Sequence, residues 1–160
     1  MLVRPLFLAA LVAGVAFSAT AYAQRPTKMR VADVVIAGIP AKADSALVRR
    51  LLGNPDSVAL GDDPSESGEL PAWWYHDLEV VFLFDGTVTG EWIRGPSRAT
   101  ARGLRIGASR AEVVRLYGPP GTASDTTLVY LTAHRQGAPG LFVYVSAGRV
   151  SAIYAGRITD

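Results

Sequence analysis

Two short apolar stripes at helical spacing stand out along the chain. Leu47, Val48, Leu51 and Leu52 recur at i, i+1, i+4 and i+5, which lays one apolar face along a short helix. Val113, Val114, Leu116 and Tyr117 do the same further on. Asp44 or Ser45 is placed to cap the first helix and Ser109 the second, since a side-chain oxygen there accepts from the free N–H groups of the first turn. Glu112 stands three residues after Ser109, the spacing of a reciprocal capping box. Gly53 with Pro55, and Gly118 with Pro119 and Pro120, mark the two stops. Between and around the helices lie β-branched and aromatic runs, which predict strands. They cover VADVVI at 31–36, as a strand or an extended lead-in, and Trp73-Trp74-Tyr75, LEVVFLF at 78–84, 87–93, 127–132, GLFVYVS at 140–146 and RVSAIYA at 149–155. Asp85-Gly86 and Ala147-Gly148 are hairpin turn signals. The polar, acidic stretch 56–69 predicts an exposed loop, and 24–30 a loose tail.

The pattern repeats. A shift of 65 places Gly38 on Gly103, Ala46 on Ala111, Val48 on Val113, Gly53 on Gly118 and Pro55 on Pro120. A shift of 62 places Gly86 on Gly148, Val88 on Val150 and Trp92 on Tyr154. The expectation is an α+β fold with two tandem units, 31–95 and 97–158, each a short helix followed by antiparallel strands. One such unit cannot cover both of its faces, so both units are expected to share one helix-on-sheet domain.

Residues 1–23 stand apart. Arg4 is followed by an uncharged apolar run and by Ala21-Tyr22-Ala23, the form of a cleavable export signal with cleavage near Ala23-Gln24. The apolar run is short for a spanning helix, which needs about 20 residues, although retention as an anchor stays open. The expected location is periplasmic or secreted. There is no cysteine, which excludes disulfides and an N-terminal lipid-modified cysteine. The formal net charge is only +2, yet the charges segregate. Residues 51–93 hold nine acids and no Lys or Arg, and 94–160 hold nine Arg against three acids. Oppositely charged halves attract one another, and they also steer charged partners.

Ile106-Gly107-Ala108-Ser109-Arg110-Ala111-Glu112-Val113, ending in Leu116-Tyr117-Gly118-Pro119-Pro120, resembles a motif of the superfamily that joins β-lactamase inhibitory proteins with SmpA/OmlA-type outer-membrane assembly lipoproteins. Asp85-Gly86-Thr87-Val88 and Ala147-Gly148-Arg149-Val150 match the turn that follows the motif. The resemblance spans most of 31–158 and is sharper in the second unit. It implies helix-plus-sheet repeats and a tendency to bind other proteins. It names no target. The chain departs from the assembly proteins in lacking the lipid-bearing cysteine and in having two units, and from the inhibitory proteins in lacking disulfides.

Candidate chemistry is sparse. His76, Asp77 and Glu79 could be drawn as a metal site, but a closed site wants three or four convergent ligands, and strand neighbours diverge. Asp62, Asp63, Glu66 and Glu69 lack the spacing that aims successive oxygens at one calcium ion. No hydrolase, metalloprotease, phosphate-loop or dinucleotide motif is present, nothing pairs a serine with His76 or His134, and no cofactor is implied. The arginines at 94, 98, 102, 105 and 110 suit a solvated face or an anionic lipid or lipopolysaccharide surface; export argues against nucleic acid. The candidate binding residues are Trp73, Trp74, Tyr75, Trp92, Tyr130 and Tyr144, because aromatic anchors dominate interfaces; core packing is the competing use of such rings. The expected function is a non-catalytic protein-binding module of the cell envelope, linked by resemblance to outer-membrane assembly. The alternatives are an inhibitor of a secreted or periplasmic enzyme, or a binder of small ligands or envelope lipids on an aromatic sheet face.

Overall fold

The computed structural model describes residues 29–62, 64, 69–135 and 137–157. Residues 1–23, expected to be an export signal, and Asp63 and Glu66 lie outside them. The two helices form where the stripes predict them, α1 at Ser45–Leu52 and α2 at Arg110–Tyr117. Asp44 caps α1 by accepting from the Leu47 N–H at 2.7 Å, and Ser109 caps α2 by accepting from Glu112 N–H at 3.2 Å. The Glu112 carboxylate lies 3.6 Å from Arg115. Both helices end on a glycine, Gly53 at φ 82°, ψ −160° and Gly118 at φ 78°, ψ −169°, a region closed to residues with a Cβ.

Each helix is followed by four strands. After α1 come β1 (Ser57–Asp62), β2 (Glu69–Tyr75), β3 (Leu78–Phe82) and β4 (Val88–Ile93). After α2 come β5 (Thr122–Ala123), β6 (Thr127–Leu131), β7 (Pro139–Ser146) and β8 (Arg149–Arg157). All eight make one antiparallel sheet in the order β1-β2-β3-β4-β8-β7-β6-β5. The fold is α+β, with helices on a sheet. The two halves meet at the central β4–β8 pair, where Gly90 opposes Gly156, Glu91 opposes Ala155, Trp92 opposes Tyr154 and Ile93 opposes Ile153. Equivalent links tie each helix start to its last hairpin: Val88 N–H donates to Ala43 O at 2.8 Å, and Val150 N–H to Ala108 O at 2.9 Å.

The main core lies between the helices and one face of the sheet. Val48, Val113 and Tyr117 from the helices meet Leu78, Val80, Ile93, Leu128, Leu141, Val143 and Ile153 from the strands. A smaller second cluster joins Leu70, Ala72, Val81, Trp92 and Tyr154, with Leu83, Phe142, Tyr144 and Ala152 against it. It lies on the opposite face, and among the described residues it draws on no helix.

Two segments differ from the sequence reading. Within 31–36, Val31–Val34 form a single 3-10 turn rather than a strand, and only Val35 is extended, with Ile36 bridging Thr100. The Asp33 carboxylate, buried beneath it, accepts from Arg30 N–H at 2.8 Å and from the Arg102 guanidinium at 2.7 Å. These bonds hold its pKa far below the usual carboxylate range. A contact to a residue 69 positions away overrides the β-branched propensity of VADVV. Residues 57–62 are a strand rather than loop, because they pair with β2 from Ser57↔Trp74 to Asp62↔Glu69. Val58 and Leu60 stay exposed on this edge strand, so core burial left no pattern to read.

Candidate functional site

The face opposite the helices carries an aromatic layer. Strand pairing fixes its members: Trp74 opposes Glu79, Glu79 opposes Trp92, Trp92 opposes Tyr154, and Tyr154 opposes Phe142. Directly opposed residues share a face. Trp92 stacks on Tyr144 with centroids 5.4 Å apart, and it meets Tyr154 at 4.9 Å. Phe142 meets Tyr154 at 5.8 Å. Such pairs each add about 0.5–1.5 kcal/mol beyond area burial. Tyr154 is fully buried and lies flat over Gly90 and Gly156, where any Cβ would overlap its ring and hydroxyl. Trp74, Leu83, Phe142 and Tyr144 are only partly covered. They are the part of the cluster that a partner can touch.

Two devices orient this face. The Trp92 indole N–H donates to Asp62 O at 2.8 Å, which pins the ring to the end of β1. Arg94 donates through Nε to Glu79 Oε2 at 2.5 Å. Its guanidinium lies 4.3 Å from the Trp92 ring centroid and 5.6 Å from that of Trp74. Cation–π contacts of this kind stabilise by about 0.5–2 kcal/mol according to desolvation. Glu79 is fully buried, and burial raises its pKa despite Arg94. Its Oε1 and the Trp74 Nε1 have no hydrogen-bond partner among the described residues. Burial also raises the Tyr144 phenol.

The six aromatic candidates divide between the faces. Trp74, Trp92 and Tyr144 come together on the second face. Trp73, Tyr75 and Tyr130 lie on the helix side. Trp73 packs on Phe82 at 4.9 Å under Arg49 at 5.0 Å. Tyr75 donates to Gly53 O at 3.3 Å, and Tyr130 donates to Gly118 O at 3.1 Å. Each of these phenols therefore satisfies the carbonyl that ends a helix, and burial pushes Tyr130 up to about 12. Phe142, Tyr154, Arg94 and Glu79 are members of the second face that the sequence reading did not place among the candidate binding residues. For Phe142 a signal existed: it alternates with Leu141 and Val143 in step with Tyr144.

The other candidates do not converge. His76 sits exposed in the β2–β3 turn, with Nε2 3.6 Å from Asp77 Oδ1. Asp77 accepts instead from Ser97 N–H at 2.7 Å. Among the described residues no group of three or more His, Asp or Glu side chains could hold a metal ion. The basic run disperses: Arg102 reaches Asp33 and Leu116 O, Arg105 reaches Pro96 O and Ser97 O, and Arg110 reaches Ser124 O and Asp125 O. No helix among the described residues is long and apolar enough to cross a membrane.

The fold has a solved counterpart. An extracellular protein containing a SCP domain from Bacillus anthracis str. Ames superposes with a TM-score of 0.51 at 10% identity, over 84% of this chain and 49% of that one. This chain thus spans about half of that protein's length. A DUF4309 family protein from Bacillus subtilis matches at TM-score 0.47 and 16% identity, covering 75% of this chain and 82% of that one. A candidate β-lactamase inhibitor protein from Streptococcus mutans matches at 0.29 and 15%, covering 68% and 78%. No family model and no curated protein matches the sequence. At these identities the likeness to the first structure is one of fold.

Proposed function

We propose that the chain is an exported, non-catalytic protein-binding module of the cell envelope, periplasmic or secreted, and that it seats its partner on the sheet face opposite the helices. The observation that carries this reading is the half-covered aromatic layer of Trp74, Phe142 and Tyr144. It is held in place from beneath by Trp92, Tyr154 and the Arg94–Glu79 pair. Rigid aromatic and arginine side chains on a β surface are the composition of an interface core. A face built on paired strands presents them at low entropic cost. The mirrored strand order and the matched helix caps support a further element of the reading, a duplication with units 31–95 and 97–158. A place in outer-membrane assembly, suggested by the motif around Ser109, is the finer form of the proposal.

The test is photo-crosslinking in the cell from a probe at Tyr144, followed by mass spectrometry. One dominant envelope or secreted protein is expected, and capture should be lost in the Trp74→Ala/Phe142→Ala double variant. A hydrolase as the dominant partner would make the module an inhibitor. An assembly component would support the outer-membrane role. No capture above background, or turnover of esters, peptides or glycans by the purified protein, would overturn the reading.

A further inference from the structure

The sheet has two edges, and the chain treats them differently. A sheet edge presents unpaired N–H and C=O groups, and native edges are blunted by shortness, proline, lysine or a bulge. The β5 edge is two residues long, Thr122–Ala123, and follows Pro119-Pro120. The β1 edge has none of these defences. It runs six residues, Ser57–Asp62, without proline or lysine, and its register with β2 is unbroken. Val58 and Leu60 are 65% and 56% exposed along it. They share the helix side with Trp73, to which Val58 is directly opposed. The alternate row, Ser57, Ala59 and Gly61, is small, which leaves room for the side chains of a further strand.

Charge marks one end of this edge. Asp62 and Glu69 are directly opposed, an unfavourable arrangement for like charges. Among the described residues no cation pairs with either carboxylate, and 51–93 contain no Lys or Arg. Glu79 Oε1, an acceptor without a hydrogen-bond partner, fills the place that a Cβ on the adjoining Gly61 would take. At the Ser57 end the charges are mixed. Asp56 accepts from His76 N–H, and Arg49 and Arg50 of α1 line a groove with Trp73. The need for positive charge is therefore confined to the Asp62 end.

We infer that β1 accepts an extended segment of another protein as an additional antiparallel strand, with apolar side chains against Val58 and Leu60 and a lysine or arginine beside Asp62 and Glu69. Main-chain hydrogen bonds supply the attachment, and alternate side chains supply the selection. An antiparallel strand begins where β1 ends, so the cation belongs at the N-terminal end of the segment. Self-pairing of β1 about a two-fold axis would instead set two acidic strands side by side with no cation for either. This docking uses the edge of the sheet and goes beyond the aromatic face.

The experiment is an NMR titration of the ¹⁵N-labelled protein with a capped hexapeptide, arginine followed by alternating threonine and valine, to about 2 mM at low salt. Saturable shifts are expected at the amides of Val58, Ala59 and Leu60, with slowed hydrogen exchange at those turned away from β2. N-methylation of the valines and N-methylation of the threonines remove N–H groups from opposite edges of the peptide, so one form should keep binding and the other lose it. Glutamate in place of the arginine should weaken binding by at least about fivefold. Asp62→Asn/Glu69→Gln, at two exposed positions, should remove that preference. Absence of shifts at these amides would overturn the inference, as would equal binding by the two methylated forms or an unchanged preference in the double variant. So would shifts at the same amides on raising the protein concentration alone, which would assign the edge to a second copy. Exchange already slow at every β1 amide of the free protein would also overturn it, because the chain would then cover its own edge. Phe142→Ala, on β7 five strands away, leaves the edge intact, so edge and aromatic face stand or fall separately.

Discussion

Two buried glutamates on neighbouring strands face opposite sides of the sheet, and they differ in what surrounds them. Glu79 has Arg94; Glu91 has an aliphatic pocket. For both, burial raises the pKa, so the folded chain holds protons that the unfolded chain has released. The sign follows from proton counting: where the native state binds more protons, stability falls with rising pH. The contribution is intact below the ordinary glutamate value of about 4.3. It declines above that value by about 1.4 kcal/mol per pH unit for each such group, until the group ionises in the folded state. Asp33 has the opposite sign, because its pKa is lowered, and its contribution is lost as pH falls below the usual carboxylate range. Urea unfolding at a series of pH values should therefore show stability declining as pH rises above the ordinary glutamate value of about 4.3, with Glu91→Gln removing its own share of the slope. A wild-type profile as flat as that of Glu91→Gln would contradict the burial argument. The faces of these residues were only partly legible in the sequence. Strict alternation from Val88 puts Trp92 on the core side, but a bulge at Thr89, between the pairs Val81↔Gly90 and Phe82↔Val88, reverses the parity. Ile93 and Glu91 then join Val88 on the helix side, and Trp92 turns to the aromatic face. The second hairpin does the same at Ser151, between Tyr144↔Ala152 and Val145↔Val150.

At the scale of elements, the sequence was most readable where local chemistry decides. Capping oxygens, apolar stripes and terminal glycines placed both helices correctly at either end. Segments governed by distant contacts were not readable. The turn at Val31–Val34 depends on Arg102, and the β1 edge depends on pairing with β2. The terminal glycines carry a direct expectation. Gly53 and Gly118 occupy matching positive-φ positions with extended ψ, so Gly53→Ala and Gly118→Ala should each cost about 1–3 kcal/mol. The carbonyls there are also the acceptors of Tyr75 and Tyr130. Thermal unfolding of the two variants checks this. A loss below about 0.5 kcal/mol in both would mean that the helix ends relax freely. Tyr130→Phe isolates the second contribution, and about 1 kcal/mol is expected for the lost bond.

At the scale of the whole molecule, the mirrored strand order is the dominant fact. The proposed duplication has its sequence counterpart in the matched helices and hairpins at shifts of 65 and 62. The strand order was not visible, because edge strands as short as Thr122–Ala123 leave almost no pattern. The candidate site was legible in kind but not in membership. The aromatic residues were found, yet three of the six serve the helix side, and the arginine and the glutamate that brace the face came only from three-dimensional pairing.

The central seam has a consequence for how such a molecule arises and how it can be taken apart. Four residue pairs between β4 and β8 join the two halves of the sheet, and they run antiparallel, the relation that two identical chains adopt about a two-fold axis. On the proposed duplication, a single half would meet the same need by homodimerising through its own last strand, and the chain would then have the form of a fused dimer. Cutting the backbone after Arg98 should accordingly give two fragments that reassociate. Co-expressed fragments should co-purify with a native-like spectrum, while the first fragment alone should self-pair through the exposed edge of β4. Fragments that stay apart and unfolded would show that the covalent link is indispensable to the seam.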